Sequence, residues 1–335
     1  MPALSLRAGV DLGGTKIQAV IVDETYAVVG QARAPTPKTG GPETVAEHIV
    51  QTLSEAASAA GVEPSSLVGI GVGSPGAVDS VAGTVAHARN LPDWDGVFPL
   101  AARLSEAVGP RVSLANDVDV ALDAEVALGS ARPYSSILAV WWGTGVGGGI
   151  ILDGKRWDGR GAAGELGHTV VRLNGARCGC GRRGCVEAYA GRASMEARAR
   201  RLAARGKTTR LFEIMEERGR DQLTSGVWAH ALEEEDELAV ALLDRAVAHL
   251  AAGIASAVNL LDVEAVVVGG GLGTRLGQPY ADRLEAAMAK HLFVQEKPPA
   301  VHTAELGDLG GAIGAALLVG IEDASGAIRG TRSSP

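Results

Sequence analysis

Cysteine is scarce in this chain: three residues among 335, all of them between positions 178 and 185. Three thiols leave one unpaired in any disulfide scheme, and a strand pattern begins within ten residues of Met1 where a signal peptide would need a charged and apolar leader. A disulfide-stapled secreted fold is therefore not expected, and the cytoplasm is. Long apolar runs are also lacking. The most apolar stretch, 249–271, is interrupted by Asn259, Asp262 and Glu264, so it reads as a buried helix and strand, with no membrane partner. Positive charge is not in excess: a formal net charge of -8 argues against a nucleic-acid partner, although local loops remain able to hold a small anion. Aromatic residues make up only 4%.

What the chain has instead is glycine, 46 residues of it. With so few aromatics this points to many tight turns and close backbone approaches, as phosphate-binding folds require. At 335 residues the chain exceeds the usual limit of one core, and 46% apolar residues can fill two, so two domains are expected.

The most informative stretch runs from Glu165-Leu-Gly-His168 through Cys178 and Cys180 to Cys185 and Glu187. One imidazole and three thiolates are the inventory of a closed tetrahedral Zn2+ site, which is structural because no position is left open for water or substrate. Three unrelated buried thiols are the alternative, but Cys-x-Cys-x4-Cys among Arg177, Arg182 and Arg183 is polar and turn-like, poorly suited to packing cysteine as a small hydrophobe. Paired Cys-x2-Cys knuckles are missing, so no nucleic-acid finger is implied. A pinned loop would hold Glu165 and Glu187 where their carboxylates can accept hydrogen bonds from a polyhydroxylated ligand.

Val10-Asp11-Leu-Gly13-Gly14-Thr15-Lys16, running into Ile17 to Asp23, reads as strand, glycine turn, strand. It is not a P-loop, since Thr15 stands where the lysine belongs and a strand follows where a helix should. The N–H groups of Gly13, Gly14 and Thr15 can form an anion-binding concavity with Asp11 near a metal-bound water, or the turn is an ordinary hairpin. Val10 to Asp23 and Val140 to Asp153 align without a gap, which predicts a duplicated hairpin, one copy per domain, each aiming its glycine turn at a shared chain of phosphates. Gly71-x-Gly73-x-x-Gly76 and Gly143-x-Gly145-x-x-Gly148 both match the dinucleotide fingerprint, but Ile150-Ile-Leu152 after the second is a strand, which demotes an NAD enzyme.

Elsewhere, 42–60 carries Val45, Ile49, Leu53 and Ala57 at helical spacing, and 67–72 reads as a buried strand. Asn90 heads a loop in which Trp94 reads as a surface anchor. A short strand, 111–114, leads to Asn116, Asp117 and Asp119. These residues are natural helix caps, yet they also fall beyond a strand's carboxyl end, where open α/β sheets bind ligands. Leu238, Leu242, Leu250, Ile254, Val258 and Leu261 mark a long buried helix, and the strand 265–268 meets Gly269, Gly270 and Gly271, which suits an adenosine moiety or a packed helix start. A last helix rich in small residues, 310–318, is short enough to pack back on the first domain.

In this order the motifs resemble the ROK family of sugar kinases, most closely its zinc-containing glucokinases. The resemblance spans essentially the whole chain apart from the tail. It rests on Asp11-Leu-Gly-Gly-Thr-Lys16, Gly73-Ser-Pro-Gly76, Asn116-Asp117, Gly143-Thr-Gly-Val-Gly-Gly-Gly149, Glu165-Leu-Gly-His168, Cys178-x-Cys180-x4-Cys185-x-Glu187 and Gly269-Gly-Gly271. It implies an α/β, actin-like (ribonuclease H-like) two-domain fold: a small domain 1–115 completed by a helix at about 308–321, and a large domain 116–307 carrying the zinc loop 165–187. The tail, 322–335, is rich in Ser, Gly and Arg without periodicity and by composition is expected to be disordered.

The same resemblance implies ATP with Mg2+, a hexose phosphorylated at its 6-hydroxyl with glucose the expected sugar, and structural Zn2+. By motif position Asp117 is the general base, and Asn90, Asn116, Asp117, Glu165, His168 and Glu187 bind sugar. His168, Cys178, Cys180 and Cys185 hold zinc. Asp11, Gly13, Gly14, Thr15, Lys16, Gly143, Thr144, Gly145, Gly269, Gly270 and Gly271 line the nucleotide. The two ring nitrogens of His168 allow it to serve metal and sugar together. Asn116-Asp-Val-Asp119 departs from the family's usual Asn-Asp-Ala-Asn. Relatives are commonly dimers or tetramers, so a homodimer or homotetramer is implied. Members that regulate transcription carry a helix-turn-helix domain ahead of the kinase part, and the early first strand leaves no room for one. The alternatives are a kinase for N-acetylmannosamine, N-acetylglucosamine or fructose, polyphosphate as donor, and a non-catalytic sugar-sensing regulator.

Overall fold

The computed structural model describes residues 5–88, 90–160 and 162–320; the expected tail at 322–335 lies outside them. The described residues fall into two compact units, one running to Ala127 and resuming at Leu309, the other Leu128–Asp308.

In the first unit β1 (Arg7–Leu12), β2 (Lys16–Val22) and β3 (Val28–Pro35) form an antiparallel meander. Helix α1 (Gly41–Ala59) has Pro42 in its first turn and buries Val45, Ile49, Leu53 and Ala57, as their spacing predicts. Strand β4 (Ile70–Ser74) pairs parallel with β1. It starts later than expected because Pro64–Ser66 forms a short 3-10 turn ahead of it. A small antiparallel ladder of β5 (Ala77–Asp79), β6 (Thr84–Ala86) and β7 (Val97–Phe98) precedes α2 (Leu100–Val108). Trp94, expected at the surface, is instead buried: its indole N–H donates to Val85 O at 3.2 Å, and its ring meets Phe98 edge-on at 5.6 Å. A large ring placed beside so small a ladder supplies the core that three short strands cannot. Then β8 (Val112–Asn116) pairs parallel with β4 and leads directly into α3 (Asp117–Leu128). Among the described residues the resulting five-stranded sheet has the order β3-β2-β1-β4-β8.

The second unit repeats the plan. A hairpin of β9 (Ile137–Trp142) and β10 (Val146–Leu152) is extended by β11 (Lys155–Arg156), while β12 (Ala265–Gly269) and β13 (Ala300–Thr303) lie parallel on the far side of β9. The order β11-β10-β9-β12-β13 matches the first sheet strand for strand. The gap-free sequence alignment holds in register too, since β2 begins at Lys16 and β10 at the matching Val146. Between the hairpin and β12 come α4 (Glu187–Ala190), α5 (Arg192–Ala203), α6 (Leu211–Glu217), α7 (Ser225–Glu233) and α8 (Glu237–Leu261); α9 (Gly270–Leu276) and α10 (Gln278–Ala289) follow β12. Helix α8 has the length and apolarity of a membrane span, but Leu238, Leu242, Leu250, Ile254 and Val258 are packed into this unit's core. Its N-terminus is capped by Asp236, which accepts from Ala239 N at 2.8 Å.

Helix α11 (Gly310–Leu317) returns to the first unit. A Cβ on Gly9 in β1 would run into Ala312 O, and one on Gly71 in β4 into Ala315 O, so both strands touch the helix through bare backbone. Gly314 meets Val120 O of α3 in the same way. That contact explains why α3 belongs with the first unit, which runs to Ala127 where the sequence placed the boundary after Ala115.

Candidate active site

In the first unit the turn between β1 and β2 is closed by Gly13 N–H donating to Lys16 O at 2.9 Å. Thr36 braces it from outside, its hydroxyl donating to Gly13 O at 2.6 Å and its N–H to Thr15 O at 3.2 Å. Asn90 abuts this turn, because a Cβ on Gly14 would stand 2.7 Å from Asn90 O. Asp11, at the end of β1, presses its carboxylate on Gly311 of α11, where a side chain would meet Asp11 Cγ at 2.8 Å.

Asn116 and Asp117 stand where β8 hands over to α3, and their capping chemistry is real: Val118 N–H lies 3.0 Å from Asn116 Oδ1 and 3.0 Å from Asp117 Oδ1. Capping does not exhaust Asp117. Burial pushes its carboxyl up to about 7, the negative charge of Asp11 pushes the same way and Asp119 adds to it, against the Val118 N–H that favours the ionised form. A carboxylate poised near neutrality can take up and release a proton under ordinary conditions.

In the second unit the matching turn is closed by Gly143 N–H donating to Gly145 O at 3.0 Å. The turn 269–271 comes close to it, since a Cβ on Gly143 would lie 3.7 Å from Gly271 N. Gly270 has φ +79, and its missing side chain would collide with the Trp142 backbone at 2.8 Å, so only glycine serves there.

Glu165 precedes and His168 ends a 3-10 turn (Leu166–His168). The loop beyond it folds back through the bridges Val170 to Cys185 and Arg177 to Arg183, with Gly181 and Gly184 at positive φ. Donor atoms of His168, Cys178, Cys180 and Cys185 all lie within 4.8 Å of one another. Cys180 Sγ is 3.8 Å from Cys185 Sγ, and Cys178 Sγ is 3.7 Å from His168 Nδ1. Tetrahedral zinc with bonds of about 2.3 Å to sulfur separates its ligands by about 3.8 Å, so the set fits that ion. The Arg182 guanidinium draws the Cys180 thiol down toward thiolate, while burial holds Cys178 and Cys185 up. With Nδ1 turned to the thiols, His168 points Nε2 toward Glu165, 4.0 Å from Oε2.

Glu187 opens α4 and joins this loop to the glycine turn: Oε2 accepts from Val146 N–H at 3.0 Å, and Cys178 Sγ lies 3.7 Å from Oε1. A side chain on Gly145 would have to push that carboxylate aside.

Residues 7–321 match the model of the ROK family. The chain belongs to the ROK family. Glucokinase of Thermotoga maritima is 33% identical over 279 residues, 83% of this chain and 85% of that protein. N-acetyl-D-glucosamine kinase of Salmonella paratyphi B is 32% identical over 324 residues, 92% and 98% of the two chains. A solved ROK family glucokinase from Streptomyces griseus, in complex with glucose and AMPPNP, superposes with a TM-score of 0.80 at 31% identity, over 93% of this chain and 98% of that one.

The ROK fold is the actin-like one expected from the motifs, and the two matching sheets are its duplicated halves. Asp11, Asn90, Asn116 and Asp117 belong to the first unit; Glu165, His168, Glu187, the thiols and the turns 143–145 and 269–271 belong to the second. Sequence reasoning missed Thr36 as the brace of the first turn, and Arg192, whose Nη2 donates to Thr144 Oγ1 at 2.8 Å. An arginine opening a helix after Ala190-Gly191 carries no motif, so nothing in the sequence marks it out.

Proposed function

We propose that this ROK protein is an ATP-dependent hexokinase that transfers a phosphoryl group to the 6-hydroxyl of a hexose, glucose first among them, and that its two units are the small and large domains of such an enzyme. The observation that carries the reading is Asp117: a carboxylate at a strand's carboxyl end, next to the Asp11 turn and pushed up to about 7, in a chain of this family. Phosphoryl transfer asks the protein chiefly for positioning and charge neutralisation. Asp117 removes the hydroxyl proton as the oxygen attacks, and Asn90 and Asn116 hold the sugar beside it. Glu165, His168 and Glu187 accept or donate hydrogen bonds to the other ring hydroxyls. Asp11 with Gly13 to Lys16, Gly143 to Gly145 and Gly269 to Gly271 receive ATP, and the Mg2+ that accompanies ATP would supply charge neutralisation at its phosphates.

His168, Cys178, Cys180 and Cys185 are the residues that would hold zinc, and the ion would supply a fixed loop rather than reactive chemistry. What the chain's own residues do there is orient. Glu187 is tied to Val146, and His168 keeps Nε2 on the side of Glu165. We place the protein in the cytoplasm as a homodimer or homotetramer, which light scattering checks.

An ADP-release assay over glucose, fructose, N-acetylmannosamine and N-acetylglucosamine, with ATP and polyphosphate compared as donors, tests the reading. Highest kcat/KM for glucose with ATP is expected. The N-acetyl-D-glucosamine kinase relative, at nearly the same identity as the glucokinase, makes N-acetylglucosamine the second candidate sugar. No turnover on any sugar would leave a sugar-sensing regulator.

A further inference from the structure

The guanidinium of Arg192 has no part in the roles assigned above. Arg192 is the first residue of α5, and the backbone there is locked to the second glycine turn: Arg192 N–H donates to Gly143 O at 3.1 Å and Ala193 N–H to Thr144 O at 3.0 Å. Those amides are consumed inside the protein, so the helix start is not itself an anion site. The side chain reaches over the same turn. Nη2 donates to Thr144 Oγ1 at 2.8 Å, and Nη1 reaches Ser225 Oγ, the first residue of α7, at 3.4 Å. Ser225 in turn borders the other glycine turn, since a Cβ on Gly271 would lie 3.6 Å from its Oγ. Arg192, Thr144, Ser225 and Gly271 thus converge on one place within a single unit.

The charge at that place is uncompensated in kind. The two hydrogen-bond partners of the guanidinium are neutral hydroxyls, and it is half-buried. Glu196, the acid that acts on it, is committed elsewhere: Oε1 to Arg200 at 2.6 Å and Oε2 to Leu223 N–H at 2.9 Å. A guanidinium has five N–H donors in a planar fork that matches phosphate oxygens, and keeping it in a partly desolvated position against hydroxyls is costly unless an anion visits.

We propose that Arg192, held by Thr144 and Ser225, binds the phosphates of the nucleotide and is the cation that neutralises the donor's charge in the second unit. The proposal rests on the ATP-dependent reading given above. It makes Arg192 a substrate-binding residue.

The test is calorimetric binding of ADP and of adenosine to the full-length protein and to Arg192→Gln, which keeps hydrogen bonding and loses charge. The variant is expected to bind ADP about tenfold or more weakly and adenosine unchanged. Arg192→Lys should recover part of the loss, and the KM for ATP should rise while that for sugar stays. Equal ADP affinity in the two proteins overturns the proposal. So does a matched loss for ADP and adenosine, which is what a purely structural tie between α5 and α7 produces. A wild-type protein that phosphorylates no sugar, together with selective loss of ADP in the variant, sinks the kinase reading and leaves the phosphate site standing.

Discussion

A carboxylate serves as a base at neutral pH only if its ionised form is neither too stable to accept a proton nor too costly to populate. Asp117 meets that condition through burial first, then through Asp11 and Asp119. Asp117→Asn should therefore lower kcat about 10²- to 10⁴-fold while sugar binding persists; steady-state ADP release and tryptophan fluorescence titration measure the two. The working form is the deprotonated one. With the pKa raised to about 7, kcat/KM for the sugar should fall as pH drops through about 7, tenfold per unit below it. Asp119→Asn removes a charge that raises the pKa, so this limb should move to lower pH. A limb unmoved by the substitution would detach Asp119 from the base. At this scale the sequence singled out Asn116 and Asp117, but taken alone the pair reads first as helix caps, and Val118 N–H does lie 3.0 Å from an oxygen of each. Environment, which no short motif encodes, is what raises the Asp117 carboxyl.

Among elements, the loop from Glu165 to Glu187 and the helix α11 are held by different physics. The loop anchors Leu166 and Val186 in the second unit's core, and on the reading proposed above a metal held by His168 and the three thiols would fix the turns between them. Cys180→Ser should lose the metal and raise the KM for sugar while the KM for ATP changes little; elemental analysis beside kinetics reads both. Helix α11 depends on bare backbone at Gly9, Gly71 and Gly314. Gly71→Ala forces its methyl into Ala315 O, and overpacking of this kind costs about 1–3 kcal/mol, read as a lowered Tm with kcat per folded molecule retained. Both elements were legible in the sequence, the loop from its ligand inventory and the helix from its small residues. The tie from Glu187 to Val146 was not, since it joins residues 41 apart in sequence through one carboxylate oxygen. The burial of Trp94 was not legible either, because a lone aromatic in a polar loop looks alike whether it faces solvent or closes a ladder.

For the molecule as a whole, two units with separate cores and a metal set confined to one of them give an unequal response to chelation. Stripping the metal should cost hydrogen-exchange protection in 165–190 and in the helices packed there, and leave β1, β2 and β4 protected. Uniform loss in both units would contradict the division at Ala127 and Leu128.

The chain's own pattern determined the duplicated hairpin, the cluster of one imidazole and three thiols that could hold a metal, the glycine turns and the family, because each is written in residues close in sequence with a spacing that the chemistry demands. Tertiary structure alone decided which carboxylate is shifted, that α3 packs with the returning α11, and that Arg192 stands over Thr144. Those depend on desolvation and on contacts between distant segments, and both are properties of the folded surroundings rather than of any stretch of the chain.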